Sequence, residues 1–180
     1  MKKVFHAILL LLVITMTSAT AQQKIGYLNA QAILADMTDM KAADSQLEAF
    51  AKQLTAKDSV KVVAFQAKAQ DLQEQSQKGT IAPIAAEKRK QELQAEQAEI
   101  QEFEQKMQQD LANKRKELYQ PVLDKVNKAI QEVAKEQGYT YVVDLTSGSL
   151  LYADEKNDLQ NAVRAKLGLP AAAVTPVGKN

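Results

Sequence analysis

Two long helix-forming segments, separated by one short turn, constrain this chain more than any other feature. Residues 39–77 contain no Pro and no Gly, and a second helical segment covers about 84–137. The turn between them is Lys78–Pro83, in which Gly79 suits the position after a helix and Pro83 the start of the next one. Because only six residues join them, the helices must run antiparallel, as a hairpin arm of roughly 60 Å at about 1.5 Å per residue.

Apolar side chains recur along both segments at the spacing of a coiled-coil seam. In the first segment they lie three and four residues apart from Met40 to Leu54, and the pattern resumes over residues 62–72. In the second segment the stripe covers residues 93–133, and Pro121 interrupts it. Since a Pro inside a helix loses one hydrogen bond and crowds the preceding turn, we expect a kink at this position.

Short apolar segments flank the helical hairpin and are typical of β-strands. Lys24–Asn29 alternates in polarity and predicts a first strand. The segment Gly138–Ala153, GYTYVVDLTSGSLLYA, has apolar runs on both sides of a Thr-Ser-Gly turn and predicts a β-hairpin that the first strand can join. A last helix is expected over about Asp158–Leu167, with Asn157 and Gln160 in the pattern of a capping box.

Three short strands form a marginal sheet and leave apolar edges open. A closed homo-oligomer would cover those edges, and a cyclic trimer is one economical arrangement, although the residues do not set the number of copies. The predicted fold is α+β, mostly α: a long helical hairpin and a small β-rich base through which copies assemble. The predicted base comprises residues 22–37 and 119–168, the arm 38–118 with its tip near 78–83, and a flexible tail 169–180.

The first residues have the features of a secretory signal peptide, residues 1–21. Two lysines precede the apolar run Ala7–Ile14, which is too short to span a bilayer well. Ala19 and Ala21 then form a small-x-small site. We therefore expect export and cleavage after Ala21, with an uncleaved anchor as the less favoured alternative.

The composition of the mature chain argues against most enzyme classes. Without the signal peptide, 21 basic residues face 22 acidic ones, which is not the charge balance of a nucleic-acid-binding protein. The chain has no Cys, and its single His, His6, lies in the signal peptide. A Ser-His-Asp or Cys-His nucleophile and the usual zinc site are thereby excluded. We expect no catalytic residues, no metal and no cofactor.

Taken together, these segments resemble the Skp/OmpH family of periplasmic chaperones. The resemblance is carried by the signal peptide, by KIGYLNAQAIL, by the long polar helical hairpin and by GYTYVVDLTSGSLLYADEKNDLQNAV. It extends over the mature chain to about Leu167. Its most specific part is the series of a VVD strand, a small turn, an LLYA strand and an NDL..AV helix.

The resemblance implies a periplasmic homotrimer that works without ATP. Strands from three subunits would form a small central β-barrel, and the helical arms would enclose a cavity that holds unfolded outer-membrane β-barrel proteins. The residues that fall on the family's barrel and assembly strands are Ile25, Tyr27, Val142, Val143, Leu145, Leu151 and Tyr152.

The inner face of the arms would then bind the unfolded client. Scattered apolar side chains on a polar arm can make weak, sequence-tolerant contacts, but they can also simply pack the two arm helices together. Both interpretations apply to the candidate client-binding residues Met40, Leu47, Phe50, Leu54, Phe65, Leu72, Ile100, Phe103 and Met107.

A basic cluster near the arm tip is a second candidate surface. It could contact an anionic membrane surface or an acidic client, or form an ordinary solvated helix face. Its members are Lys78, Lys88, Arg89 and Lys90.

The near-neutral charge of the mature chain departs from the family's best-known members, which are strongly basic. We therefore expect holding of clients by apolar contact and shape, rather than capture by charge. The alternative function, from a different class, is a coiled-coil spacer or adaptor that bridges components of the cell envelope.

Overall fold

The computed structural model describes residues 23–148 and 150–172, so the predicted signal peptide and the last part of the predicted tail lie outside the described residues. Within those ranges, no helix is both long enough and apolar enough to cross a membrane. The elements in chain order are β1 Ile25–Leu28, α1 Ala30–Asp36, α2 Thr38–Gln77, α3 Pro83–Glu136, β2 Tyr141–Asp144 and α4 Gln160–Lys166, with short 3-10 turns at Leu145–Ser147 and Glu155–Asn157.

The chain divides into two compact units. The hairpin unit comprises Ala30–Lys128, and the base unit comprises the described residues before Ala30 and after Lys128. Helix α1 and residues 119–128 therefore group with the hairpin, whereas the sequence-based boundaries assigned them to the base.

The helical hairpin is confirmed, and both helix ends at its turn lie close to their predicted positions. Helix α2 ends at Gln77, and Gly79 follows with a φ of 65°, a left-handed conformation that glycine adopts without strain. The Thr80 N–H donates a 3.0 Å hydrogen bond to the Gln75 carbonyl, which satisfies a terminal acceptor of α2. Helix α3 begins at Pro83 and continues through Pro121 without ending; the predicted kink stays a prediction.

Cross-helix contacts show that α2 and α3 are antiparallel. Near the start of α2, the Lys125 ammonium lies 2.7 Å from Asp39. Further along, Lys68 lies 2.8 Å from Glu96. The buried apolar residues of the two helices within this unit are Ala43, Leu47, Leu54, Ile100, Val122 and Val126.

The base unit contains a two-stranded parallel sheet, in which β1 pairs with β2 from Ile25–Tyr141 to Leu28–Asp144. Parallel strands need a long crossover connection, and here the helical hairpin supplies it. The predicted β-hairpin is wrong: after β2, the chain turns through Leu145–Ser147, and residues 150–153 form no strand. The carboxylate of Asp144 accepts a 3.1 Å hydrogen bond from the Thr146 N–H, which favours this turn over an extended strand.

Helix α4 is present, but its predicted capping box is wrong. The Asp158 carboxylate, not Asn157, accepts a 2.7 Å hydrogen bond from the Gln160 N–H at the helix start. The Gln160 side chain instead accepts a 2.9 Å hydrogen bond from the Asn29 N–H, next to β1. Gln160 therefore joins α4 to the sheet, and its long-range partner could not be read from local spacing.

The base unit has a compact interior although it has only two strands. The Leu159 N–H donates a 2.9 Å hydrogen bond to the Tyr27 carbonyl and so occupies the second edge of β1. At the other end of α4, the buried Arg164 donates a 2.6 Å hydrogen bond from Nε to the Pro170 carbonyl. The buried apolar residues of this unit are Tyr27, Leu28, Ala129, Val133, Tyr139, Leu159 and Val163.

Candidate functional site

The base unit exposes large apolar side chains. Ile25 and Tyr141 are partners in the β1–β2 register, and each is about half exposed. Leu151 and Tyr152 follow β2 with 89% and 78% of their surfaces exposed. Such large exposed apolar side chains in a small unit indicate a surface that another chain can cover.

Strand β2 is an edge strand. Its inner edge pairs with β1, and in the described part of the chain no strand pairs with its outer edge. The backbone N–H and C=O groups of such an open edge can form hydrogen bonds with a strand of another chain. The edge is short, because the 3-10 turn at Leu145–Ser147 follows Asp144 directly.

The predicted assembly residues fall into different environments. Leu151 and Tyr152 are the most exposed, Ile25 is half exposed, and Val142, Val143 and Leu145 are half buried. Tyr27 is only 3% exposed and belongs to the interior of the base unit. Burial, followed by the nearby charges of Asp158, Glu155 and Asp154, raises the pKa of Tyr27 above its usual value.

Tyr141 is a surface residue that is missing from the predicted assembly residues. It is 54% exposed and lies beside Ile25, at the same end of the sheet. Its place as the first residue of an aromatic and β-branched run was an available signal. The parallel register that puts it next to Ile25 was not available from the sequence.

The nine predicted client-binding residues all lie on the seam positions of α2 and α3, and none is exposed. Leu47, Leu54 and Ile100 are buried. The Lys61 ammonium lies 5.6 Å from the centre of the Phe103 ring, so this ring has a cation partner within the chain. The half-buried members are Met40, Phe50, Phe65, Leu72, Phe103 and Met107.

Two valines on α2 are more accessible than any of those residues. Val60 and Val63 are mostly exposed and lie one turn apart. Both are offset from the coiled-coil seam, and that offset was the sequence signal that would have found them. They add an apolar patch to the outside of the hairpin unit.

The basic cluster near the tip is largely paired with carboxylates. Lys78, the residue after α2, pairs with Glu74 of that helix, and Lys88 pairs with Glu92 within α3. Arg89 crosses to α2 and lies 3.0 Å from Asp71. Among the described residues, Lys90 has no ion-pair partner in reach, so the cluster offers less free positive charge than its sequence suggests.

The tip also exposes an aliphatic side chain next to these charges. Ile84, in the first turn of α3, is 88% exposed. No group of His, Cys, Asp and Glu suited to hold a metal ion occurs within residues 23–148 and 150–172.

The family of the chain follows from its sequence pattern. The sequence model of one protein family, described as "Outer membrane protein (OmpH-like)", matches residues 24–167 of the chain. The chain belongs to this family. The match covers both strands, all four helices and the exposed segment of Leu151 and Tyr152 in this OmpH-like chain.

A solved structure shares the fold of this OmpH-like chain. It is a candidate outer membrane chaperone (OmpH-like) from Caulobacter crescentus CB15, with a TM-score of 0.68 and 21% sequence identity. The match covers 91% of this chain and 95% of the Caulobacter chain. No curated protein sequence matches the chain.

Proposed function

We propose that this chain is an ATP-independent periplasmic holdase chaperone. It acts as a homotrimer, binds unfolded outer-membrane β-barrel proteins between its helical arms and prevents their aggregation. The observation that carries the proposal is that this OmpH-like chain has a long helical hairpin with little buried core. From 55 to 99, no residue is buried.

The base unit supports the assembly part of the proposal. Its open β2 edge offers backbone N–H and C=O groups to a strand of another copy. Burial of Leu151, which is 89% exposed, would contribute about 1.5–3 kcal/mol, and Tyr141 and Tyr152 add further apolar area. A closed ring of copies covers all such surfaces equally. Assembly through this unit leaves the hairpin unit of each copy for client contact.

The hairpin unit supports the client-binding part. Phe65, Leu72 and Phe103 are half buried, so part of each side chain stays available to another chain. Single contacts of this kind are weak, but several arms that act on one unfolded chain raise the effective concentration of contacts. Release then needs no ATP, since a client that folds into the membrane withdraws its apolar segments.

The charge of the mature chain favours holding of clients by apolar contact over their capture by charge. The mature chain is near neutral, and the tip cations Lys78, Lys88 and Arg89 already have carboxylate partners. Exposed pairs of this type leave little net field for a distant acidic client. We infer that an anionic membrane surface is at most a secondary partner of this tip.

The proposal is tested by aggregation of a urea-unfolded β-barrel membrane protein on dilution into buffer. With the mature chain present at near-stoichiometric amounts, light scattering should be suppressed. A Phe65→Ser, Phe103→Ser variant should lose most of this suppression. The matched control is Phe65→Leu, Phe103→Leu, which keeps apolar side chains at both positions and should retain it.

Circular dichroism and mass measurements on both variants separate loss of client contact from loss of folding. Unchanged light scattering in the presence of the intact mature chain would contradict the holdase proposal. Binding of a single folded envelope protein, without effect on unfolded chains, would instead support the spacer or adaptor function.

A further inference from the structure

We propose that the distal hairpin, defined as residues 55–99, opens as a separate unit when the ionic strength rises. Its two helices are joined at the tip by the turn Lys78–Pro83 and held along their length by two exposed ion pairs and by half-buried apolar side chains. The proximal part, residues 38–54 and 100–128, is held by buried apolar side chains. The distal hairpin is then a salt-sensitive latch, and its opening releases half-buried apolar side chains.

Burial changes abruptly along the hairpin. In the proximal part, Leu47 and Leu54 on α2 and Ile100 and Val122 on α3 are buried. In the distal hairpin, the seam positions of both helices are only half buried. Because apolar contact scales with the area removed from water, the distal helices gain much less from packing than the proximal ones.

Two cross-helix ion pairs connect the distal helices. Lys68 lies 2.8 Å from Glu96, with both carboxylate oxygens within hydrogen-bond distance. Arg89 lies 3.0 Å from Asp71 and also donates to Gln75. Most of these side chains remain in contact with solvent, so salt can screen both pairs.

The space around the ion pairs is incompletely filled. A cleft of about 310 Å³ lies there, lined by five charged residues and one apolar residue. The single apolar member is Leu93, which is half buried. The two ion pairs therefore border solvent-accessible space, where salt can reach them.

Asp58 marks the boundary between the two parts. It follows Leu54 by one turn, and its Oδ1 is buried without a hydrogen-bond partner. The antiparallel register places Asp58 opposite the turn that holds Lys106, which pairs with Asp110 instead. A buried carboxylate oxygen without a partner disfavours close packing, so separation of the helices can stop at this point.

The proposal predicts the size of the salt effect. The Debye screening length falls from about 30 Å at 0.01 M salt to about 3 Å at 1 M, so the ion pairs are screened more strongly at high salt. Loss of one exposed pair changes an equilibrium by up to about fivefold, and loss of both by up to roughly 25-fold. We expect the open fraction of the distal hairpin to rise about threefold to tenfold over this range.

The experiment measures distances between two spin labels in the full mature chain by pulsed electron resonance. The chain has no Cys, so single pairs can be introduced. Gln70→Cys and Gln94→Cys report on the distal hairpin, and Gln46→Cys and Lys116→Cys report on the proximal part. Refolding together with excess unlabelled chain keeps labels of different copies apart.

We expect the distal pair to gain a longer-distance population at high salt while the proximal pair stays unchanged. Lys68→Gln with Glu96→Gln should show this longer-distance population already at low salt. The charge-exchanged variant Lys68→Glu with Glu96→Lys keeps an ion pair at these positions and should show only the shorter distance at low salt. Lys88→Gln is the matched control, because it removes a distal pair that lies within one helix.

A distal distance distribution that stays the same in high salt and in the Lys68→Gln, Glu96→Gln variant would overturn the proposal. Equal opening of the proximal pair would also overturn it, since the two parts would then form one unit. No client is present in the measurement, so its result is independent of the chaperone proposal.

Discussion

Tyr119 and Asp44 join the two helices of the proximal hairpin: the Tyr119 hydroxyl donates a 2.6 Å hydrogen bond to Oδ1 of Asp44. The bond spans residues that are 75 positions apart in the sequence. It is one of the contacts, with Lys125–Asp39 and Lys68–Glu96, that the antiparallel register of α2 and α3 brings together.

Removal of this hydroxyl should weaken the hairpin without changing its fold. We expect Tyr119→Phe to lower the free energy of unfolding by about 0.5–1.5 kcal/mol, the usual net contribution of one hydrogen bond. Urea unfolding followed by circular dichroism measures the change. Gln120→Ala is the control, because it removes a hydrogen bond to Asp124 that lies within α3. Equal losses in both variants would contradict a specific role for the Tyr119–Asp44 bond.

The same bond predicts a pH dependence. Hydrogen bonding to Asp44, followed by burial, raises the pKa of Tyr119 above its usual value. Its stabilisation should be complete below the pKa of the unfolded chain, about 10, and be lost as the pH rises through the higher folded pKa. Tyrosinate absorbance should show Tyr119 ionising above pH 10, and Tyr119→Phe should remove that component. If Tyr119→Phe instead removed a component that ionises below pH 10, the raised pKa of Tyr119 would be contradicted.

Gly26 should tolerate no side chain. A Cβ at this position would lie 2.8 Å from Leu159 Cδ1 and 3.0 Å from a ring carbon of Tyr139, and both neighbours are buried. We expect Gly26→Ala to destabilise the base unit by about 1–3 kcal/mol, the usual cost of overpacking. Thermal unfolding measures this.

The control for Gly26→Ala is Gly79→Ala at the hairpin turn. No heavy atom lies within 4 Å of a Cβ at Gly79, and only its φ of 65° opposes a side chain. That variant should cost about 1–2 kcal/mol of backbone strain and leave the base unit unaffected. An unchanged base unit in Gly26→Ala would show that Leu159 and Tyr139 can move apart.

Two aspartates on α2 should respond to the same substitution with opposite signs. Asp58→Leu removes a buried oxygen that has no partner and continues the apolar seam, so we expect stabilisation of about 1–2 kcal/mol. Asp44→Leu removes the acceptor of Tyr119 and should destabilise the chain by about 0.5–1.5 kcal/mol. Urea unfolding of the two variants side by side gives the signs. Destabilisation by Asp58→Leu would show that the carboxylate is hydrated.

The helical part of the fold could be predicted closely from the sequence because its signals are local. Glycine in a left-handed conformation ends α2 and α3, and Pro83 begins α3 where the chain can lack an N–H donor. The seam spacing likewise identified Leu47, Leu54 and Ile100 as residues that face into the hairpin. Such signals require no knowledge of distant residues.

The β part was predicted less well because its partners are distant in sequence. An apolar run before and after a Ser-Gly turn fits a hairpin, yet β2 pairs in parallel with β1 across the whole helical hairpin. Gln160 similarly bonds to Asn29 rather than to a neighbour at its own helix start. The segment of Leu151 and Tyr152 has strand-like composition but is exposed in a single chain.

The candidate surfaces depend on which side chains the seam leaves accessible. Periodicity found the apolar residues of the hairpin, but it could not separate those that only pack the helices from those that bind a client. Exposure of Val60, Val63 and Ile84 results from their offset from the seam and from the turn geometry. The pairing of Arg89 with Asp71 depends on the cross-helix register, which no local pattern encodes.

Assembly through the base unit is the central claim, and the solution mass of the mature chain from Gln22 tests it most directly. Light scattering combined with sedimentation at micromolar concentration should give the mass of three copies. Leu151→Ser with Tyr152→Ser should lower that mass, whereas Ile84→Ser, an equally exposed position at the hairpin tip, should leave it unchanged. A mass of one copy for the unaltered mature chain would contradict the account.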